Sequence, residues 1–237
     1  AQGIGYAAEK LGIQAIIVVP ENTPQIKIDA IERYPVKLII HGEEYLDAEK
    51  LARKIEAEEG KVMVSPYNDL DLIKGQGTIA LEIIKEQPSL DTIVVPVGGG
   101  GLSSGISSVY KLATDAKIIG AQSIASPVMY ECIKKGEIYD MPLEDSVAEG
   151  LHGGLEQGSV TFDLCRDLID EWAILEEDSI IEAIRLMLFK EKMVVEGAAA
   201  VGPAAIMTDP ERFKDRKTGV VISGGNLDTE ILKKICS

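Results

Sequence analysis

Short apolar runs alternate with longer amphipathic stretches along the whole chain. Residues 4–11 have the spacing of a helix closed by Gly12, and residues 14–19 (QAIIVV), bounded by Gly12 and Pro20, read as a buried strand. A helix is expected over 24–34, with Pro24 in its first turn, then a strand at 37–40, a charged amphipathic helix at 45–59 ended by Gly60, and a strand at 61–64 (KVMV). The rhythm continues with a helix at 77–86, a strand at 91–97, a loop of four glycines, and a helix at 102–114. Beyond it lie a strand at 117–121, a helix at 127–135, a helix at 158–170 and a short strand at 172–175. Ser179 with Glu182 has the capping-box spacing for a helix at 180–191. An Ala-rich helix at 197–207, a strand at 218–222 and a helix at 228–236 complete the pattern.

Strands alternating with helices predict βαβ units with right-handed crossovers. The fold class expected is therefore α/β, with open, mostly parallel sheets covered by helices on both faces. The stretch from Tyr67 to Thr78, with Asn68, Gly75 and Gly77, marks the expected boundary between a small first domain (1–67) and a larger second one (68–237).

Composition narrows the picture. The chain has 237 residues, 46% of them hydrophobic, but only 5% aromatic, so Ile, Val, Leu and Ala must build the core. A net charge of −15 repels nucleic-acid phosphate and anionic lipid, which excludes both as expected partners. The acidic residues are spread along helical faces such as Glu43 to Glu59. Cys132, Cys165 and Cys236 are far apart and odd in number, which predicts neither a disulfide framework nor a zinc site and fits a cytoplasmic setting. No apolar run has the length of a membrane span, and no signal peptide is expected.

Three stretches carry candidate chemistry. In DTIVVPVGGGGLSSG (91–105), a buried strand runs into four glycines and then a helix. Without β-carbons, successive N–H groups can converge on one anion, and the helix N-terminus adds partial positive charge. A surface loop is the plainer reading. A dinucleotide fingerprint fits poorly, because the spacing is not G-x-G-x-x-G and the next strand leads to Gln122 rather than an acid. In VVISGGN (220–226), Ser223 stands at the tip of a strand, either as a simple turn or edge-on to a flat ligand. In VVEGAAAVGPAA (194–205), Glu196 opens a helix of small residues, either as an acid at the helix dipole or as part of a site.

Together with AQGIGYAA (1–8) and GQGTIALEI (75–83), the stretches VPVGGGGLSSG, EGAAAVG and SGGN occur in an order that resembles the fold-type-II pyridoxal-phosphate enzymes. The branch resembled is that of the threonine/serine dehydratases (threonine ammonia-lyases) and serine racemases. AQG looks like the tail of their S-G-N-H-A-Q-G motif. The resemblance implies a tryptophan-synthase-β-like fold of two such sheets, incomplete at its N-terminus, with pyridoxal 5'-phosphate as cofactor. It implies that Gly98, Gly99, Gly100 and Gly101 hold the cofactor phosphate, that Ser223 hydrogen-bonds the pyridine nitrogen, and that Gly150 lies against the cofactor face. Glu196 takes a supporting catalytic role near the ring. A serine at the ring nitrogen suits β-elimination and racemisation better than transamination.

The implied reaction converts L-threonine or L-serine to a 2-oxo acid and ammonia. Serine racemisation, or dehydration of another β-hydroxy amino acid, is the near alternative. The small amino-acid substrate is the expected ligand, and a homo-oligomer (dimer or tetramer) the expected assembly. The sequence also departs from the family. Its Schiff-base lysine lies upstream of S-G-N-H, and Lys10, Lys27 and Lys74 read as surface residues. The chain alone is therefore expected to be inactive, and a remnant that binds a phosphate-bearing ligand or a partner subunit is the alternative of another class. Some members bind a divalent cation where this chain has Gln122 and Val128, so no metal site is expected. Glu149 replaces a frequent aspartate beside Gly150, and His152 is either a pocket acid or a loop histidine with a structural partner.

Overall fold

The computed structural model describes residues 1–236. It divides into two compact units, Ala1–Val64 and the chain from Ser65 onward, so the boundary expected after residue 67 falls just inside the second unit. The first unit contains helix α1 (Gln2–Leu11), strand β1 (Ile16–Val19), α2 (Gln25–Glu32), β2 (Lys37–Ile40) and α3 (Tyr45–Glu59). Strands β1 and β2 pair in parallel around a small core of Ile17, Val19 and Ile31. The strand expected at 61–64 does not form. Its backbone pairs with no strand among the described residues, and Val62 is 87% exposed, so its β-forming side chains have no surface to cover.

The second unit opens with α4 (Leu70–Glu86), β3 (Thr92–Pro96), α5 (Gly101–Ala113), β4 (Lys117–Ser123) and α6 (Val128–Lys135). A 3-10 turn (Glu149–Leu151), α7 (Val160–Leu168), β5 (Glu171–Leu175) and α8 (Glu177–Phe189) follow, and then α9 (Gly197–Thr208), α10 (Pro210–Phe213), β6 (Thr218–Val220) and α11 (Thr229–Cys236). The four strands form one parallel sheet in the order β5-β4-β3-β6. Every residue of β3 is buried, so both faces of the sheet are covered, as the unbroken TIVV run requires. Each fully buried aliphatic side chain there, such as Ile93 or Val94, contributes about 1.5–3 kcal/mol relative to exposure.

Two expectations are corrected here. Helix α4 starts seven residues before Gly77, at Leu70, because the Asp69 carboxylate accepts from the N–H groups of Asp71 and Leu72 and caps it. Gly77 makes a helix contact: a Cβ there would come within 3.2 Å of the Gly105 carbonyl on α5. The capping box at Ser179 is absent, because α8 begins at Glu177 and Ser179 is already inside it. Glu177 is tied down instead. Its carboxylate accepts from the Ser123 hydroxyl at the end of β4, from the Ser146 hydroxyl (2.9 Å) and from the Val147 N–H (2.6 Å).

Helix α9 packs across β3, β4 and β5, and its small residues set how close it comes. A Cβ at Gly202 would lie 2.6 Å from a Val220 methyl, and one at Gly197 would overlap the Val147 carbonyl. That close approach brings the N-terminus of α9, with Glu196 before it, to the carboxyl ends of the strands.

Candidate functional site

Strands β3 and β6 are parallel neighbours, and the pairing continues past the end of β6, where the Val221 N–H donates to the Val94 carbonyl at 3.0 Å. The tetraglycine loop and the S-G-G-N loop therefore leave the same edge of the sheet from adjacent strands. In doubly wound α/β sheets, ligands bind at this carboxyl end.

The tetraglycine loop has one face toward protein and one face without partners. On the protein face, the Gly99 carbonyl accepts from the Thr161 hydroxyl at 2.6 Å, and the Gly100 carbonyl accepts from the Ser103 hydroxyl (3.1 Å) and the Ser104 N–H (2.8 Å). Here the glycines are required for space. A Cβ on Gly99 would enter the Tyr67 ring, and one on Gly100 would lie 2.8 Å from the Met129 Cε and 2.9 Å from the Thr161 Cβ. Gly100 has φ 87°, left-handed backbone that favours glycine, and it caps α5. On the other face, the N–H groups of Gly98, Gly99, Gly100, Gly101, Leu102 and Ser103 donate to no group among the described residues. Six consecutive amides around a left-handed turn, at the N-terminus of a largely buried helix, form a candidate anion cup, to which the helix dipole adds about half a positive charge.

The surrounding loops close on this cup. A Cβ on Gly98 would come within 3.0 Å of the Leu151 Cα, so the 3-10 turn stands directly against the loop. Gly150, in that turn, would place a Cβ 3.0 Å from the Ala198 Cβ and 3.7 Å from a Glu196 carboxylate oxygen. Glu196 in turn reaches the S-G-G-N loop. Its N–H donates to the Gly224 carbonyl (3.2 Å), its carboxylate accepts from the Asn226 N–H (3.2 Å), and a Cβ on Gly224 would meet the same carboxylate at 2.6 Å. Ser223 is exposed, and its hydroxyl makes no hydrogen bond among the described residues. All seven sequence-selected positions thus lie along one connected path of loops at one end of the sheet.

Residues the sequence reading missed stand behind the cup: Tyr67, Ser159, Thr161 and Cys165. The Tyr67 ring lies beneath Gly99 while its hydroxyl accepts from the Glu156 N–H at 2.8 Å. Burial pushes the Cys165 thiol above its ordinary range, so this cysteine is an inert packing group beside Ser103 and Ser104. His152 is exposed, with Nε2 3.2 Å from the Glu144 carbonyl. Gln122 is fully buried, and its side-chain oxygen accepts from the Tyr130 N–H at 2.9 Å.

The fold and this end of the sheet together describe an α/β protein with a candidate anion cup. Comparison with known proteins gives the family. Residues 1–224 match the model of the pyridoxal-phosphate dependent enzymes, and the chain belongs to that family. It is 37% identical to an L-threonine ammonia-lyase of Thermotoga maritima over 99% of this chain and 58% of that protein. It is 38% identical to a serine racemase of Arabidopsis thaliana, over 96% of this chain and 70% of that one. The structure of maize serine racemase superposes with a TM-score of 0.90 at 30% identity, covering 99% of this chain and 72% of that chain. The chain thus spans a little over half the length of the threonine ammonia-lyase, and its α/β fold with parallel sheets is that of the fold-type-II relatives.

The cofactor of this family fits the residues present. A phosphate ester needs several donors, and six neighbouring amides without a protein acceptor among the described residues are available for it. Gly150 and Gly224, which lack side chains, both stand against the Glu196 carboxylate on the same run of loops.

Proposed function

We propose that the whole protein is a pyridoxal-phosphate-dependent ammonia-lyase that converts L-threonine or L-serine to a 2-oxo acid and ammonia. The observation that carries this reading is the unpartnered run of amides from Gly98 to Ser103, with the unpaired hydroxyl of Ser223 in the loop that leaves the neighbouring strand. The cofactor, when bound, supplies the electron sink that makes the substrate α-proton acidic. The chain's own share is binding and orientation. The amides of Gly98, Gly99, Gly100 and Gly101 hold the phosphate, Ser223 hydrogen-bonds the ring nitrogen, and Gly150 lets the turn lie close to the ring face. Glu196 holds the S-G-G-N loop in place through Asn226, which is a supporting role and not a proton transfer. The lysine chemistry belongs to the length of the relatives that these residues do not span.

Serine racemisation is the second reading, supported by similarity of the same order to the racemase as to the ammonia-lyase. A homo-oligomer and a cytoplasmic setting go with either reading. Three cysteines without a disulfide suit the latter.

The full-length protein, incubated with pyridoxal phosphate and L-threonine or L-serine, should release 2-oxobutanoate or pyruvate with ammonia. Conversion of L-serine to D-serine without 2-oxo acid would select the racemase. No saturable binding of the cofactor would end both readings.

A further inference from the structure

We infer that Thr161, itself oriented by Ser159, is a positioning residue that turns the amides of the tetraglycine loop toward the cofactor phosphate. The inference rests on the cofactor reading above and adds the device that holds the cup open. Within a trans peptide, the carbonyl and the N–H point in opposite directions. The Gly99 carbonyl and the Gly100 N–H share one such plane. The Thr161 hydroxyl captures that carbonyl at 2.6 Å from behind the loop, which fixes the Gly100 N–H on the open side. The Ser103 hydroxyl and Ser104 N–H do the same for the next plane, so the Gly101 N–H is directed with it.

The proton accounting names the second member. Thr161 has one hydroxyl proton, and it goes to the Gly99 carbonyl. The Ser159 and Thr161 hydroxyl oxygens are 2.7 Å apart, so Ser159 must be the donor between them. Ser159 stands at the N-cap of α7, where a serine normally accepts from the helix's own N–H groups, and it makes no such bond. Its hydroxyl is committed to Thr161 instead. Both residues are buried, at 2% and 0% exposure, so water does not compete for these bonds. The chain Ser159–Thr161–Gly99 is local to the loop, and a valine would fill the volume of Thr161 without making its bonds, so the hydroxyl can be tested apart from packing.

Equilibrium titration of the full chain with pyridoxal phosphate, and separately with inorganic phosphate, tests this on Thr161→Val, Thr161→Ser and Ser159→Ala, with circular dichroism to follow folding. The hydroxyl chain predicts about tenfold weaker binding of both probes for Thr161→Val, a loss of about threefold for Ser159→Ala, and near-native binding for Thr161→Ser. A packing role predicts the reverse order, since valine keeps the shape and serine loses a methyl group. Thr161→Ser weaker than Thr161→Val, or all three unchanged while the native chain binds, overturns the inference and leaves the cofactor reading standing. A native chain that binds neither probe overturns both. If Thr161→Val does not fold, Ser159→Ala decides: weakened binding supports the hydroxyl chain, and native binding overturns it.

Discussion

The loops that leave β3 and β6 are neighbours, both rich in glycine, yet they are built in opposite ways. The tetraglycine loop is braced from behind by Tyr67, Thr161, Ser103 and Met129, and its protein-facing carbonyls are satisfied. The S-G-G-N loop is open to solvent and is held mainly by Glu196 through the Gly224 carbonyl and the Asn226 N–H. On the proposed reading the first loop presents a constellation of amides, and its bracing keeps their directions fixed, whereas the second presents a single hydroxyl. Bracing is concentrated where several donors would have to act together.

Substitutions graded along this contrast should show it. Gly100→Ala should have the largest effect, because the new methyl requires left-handed backbone and meets Met129 and Thr161. We expect about 2–4 kcal/mol of lost stability in urea melts, with more than tenfold weaker cofactor binding. An unchanged melt would mean that the loop is not braced. Gly224→Ala should cost less, about 1 kcal/mol, because the carboxylate it meets ends a flexible side chain and can swing away, giving up its bond to Asn226. Ser223→Ala should leave the melting curve within about 0.5 kcal/mol, since the hydroxyl is exposed and unpaired in the protein, while weakening cofactor binding a few-fold. If it destabilised the fold as much as Gly100→Ala, the two loops would not differ as described.

A control far from both loops should leave cofactor binding unchanged. Glu171 accepts from Lys117 (2.9 Å) and Arg212 (2.8 Å), and these partners, Lys117 foremost, hold its carboxyl below its ordinary value of 4.5. Its stabilisation is present above that value and is lost as pH falls through the lower folded value. Because the pair is partly solvated, Glu171→Gln should cost only about 0.5–1 kcal/mol at pH 7, with the difference from the native chain disappearing in acid melts. A deficit that stays constant from neutral pH down through the protonation of the carboxyl would assign the effect to packing.

The sequence made the framework legible where local rules decide. The amphipathic stretch 45–59 and the strand 37–40 appear as expected, and the glycine punctuation around β3 and α5 puts that loop within a residue of its observed position. It failed where distant partners decide. KVMV has the composition of a strand, but pairing requires a neighbour that composition does not reveal. Gly75 and Gly77 read as part of a domain boundary, whereas both lie inside α4 and Gly77 serves its close approach to α5. The site glycines were visible as a run, but the side chains behind them were not. Thr161 is 62 residues from Gly99 in the chain, and it falls with Ser159 inside the helix expected at 158–170. No local signal marks a hydroxyl whose only task is to hold a carbonyl from another loop.

The most direct test is an amide-resolved NMR titration of the isotopically labelled chain with pyridoxal phosphate. The account predicts saturable shifts largest at the N–H groups of Gly98 through Ser103, reproduced in part by inorganic phosphate. Saturable binding that leaves those six amides unmoved, with shifts centred elsewhere, would contradict it.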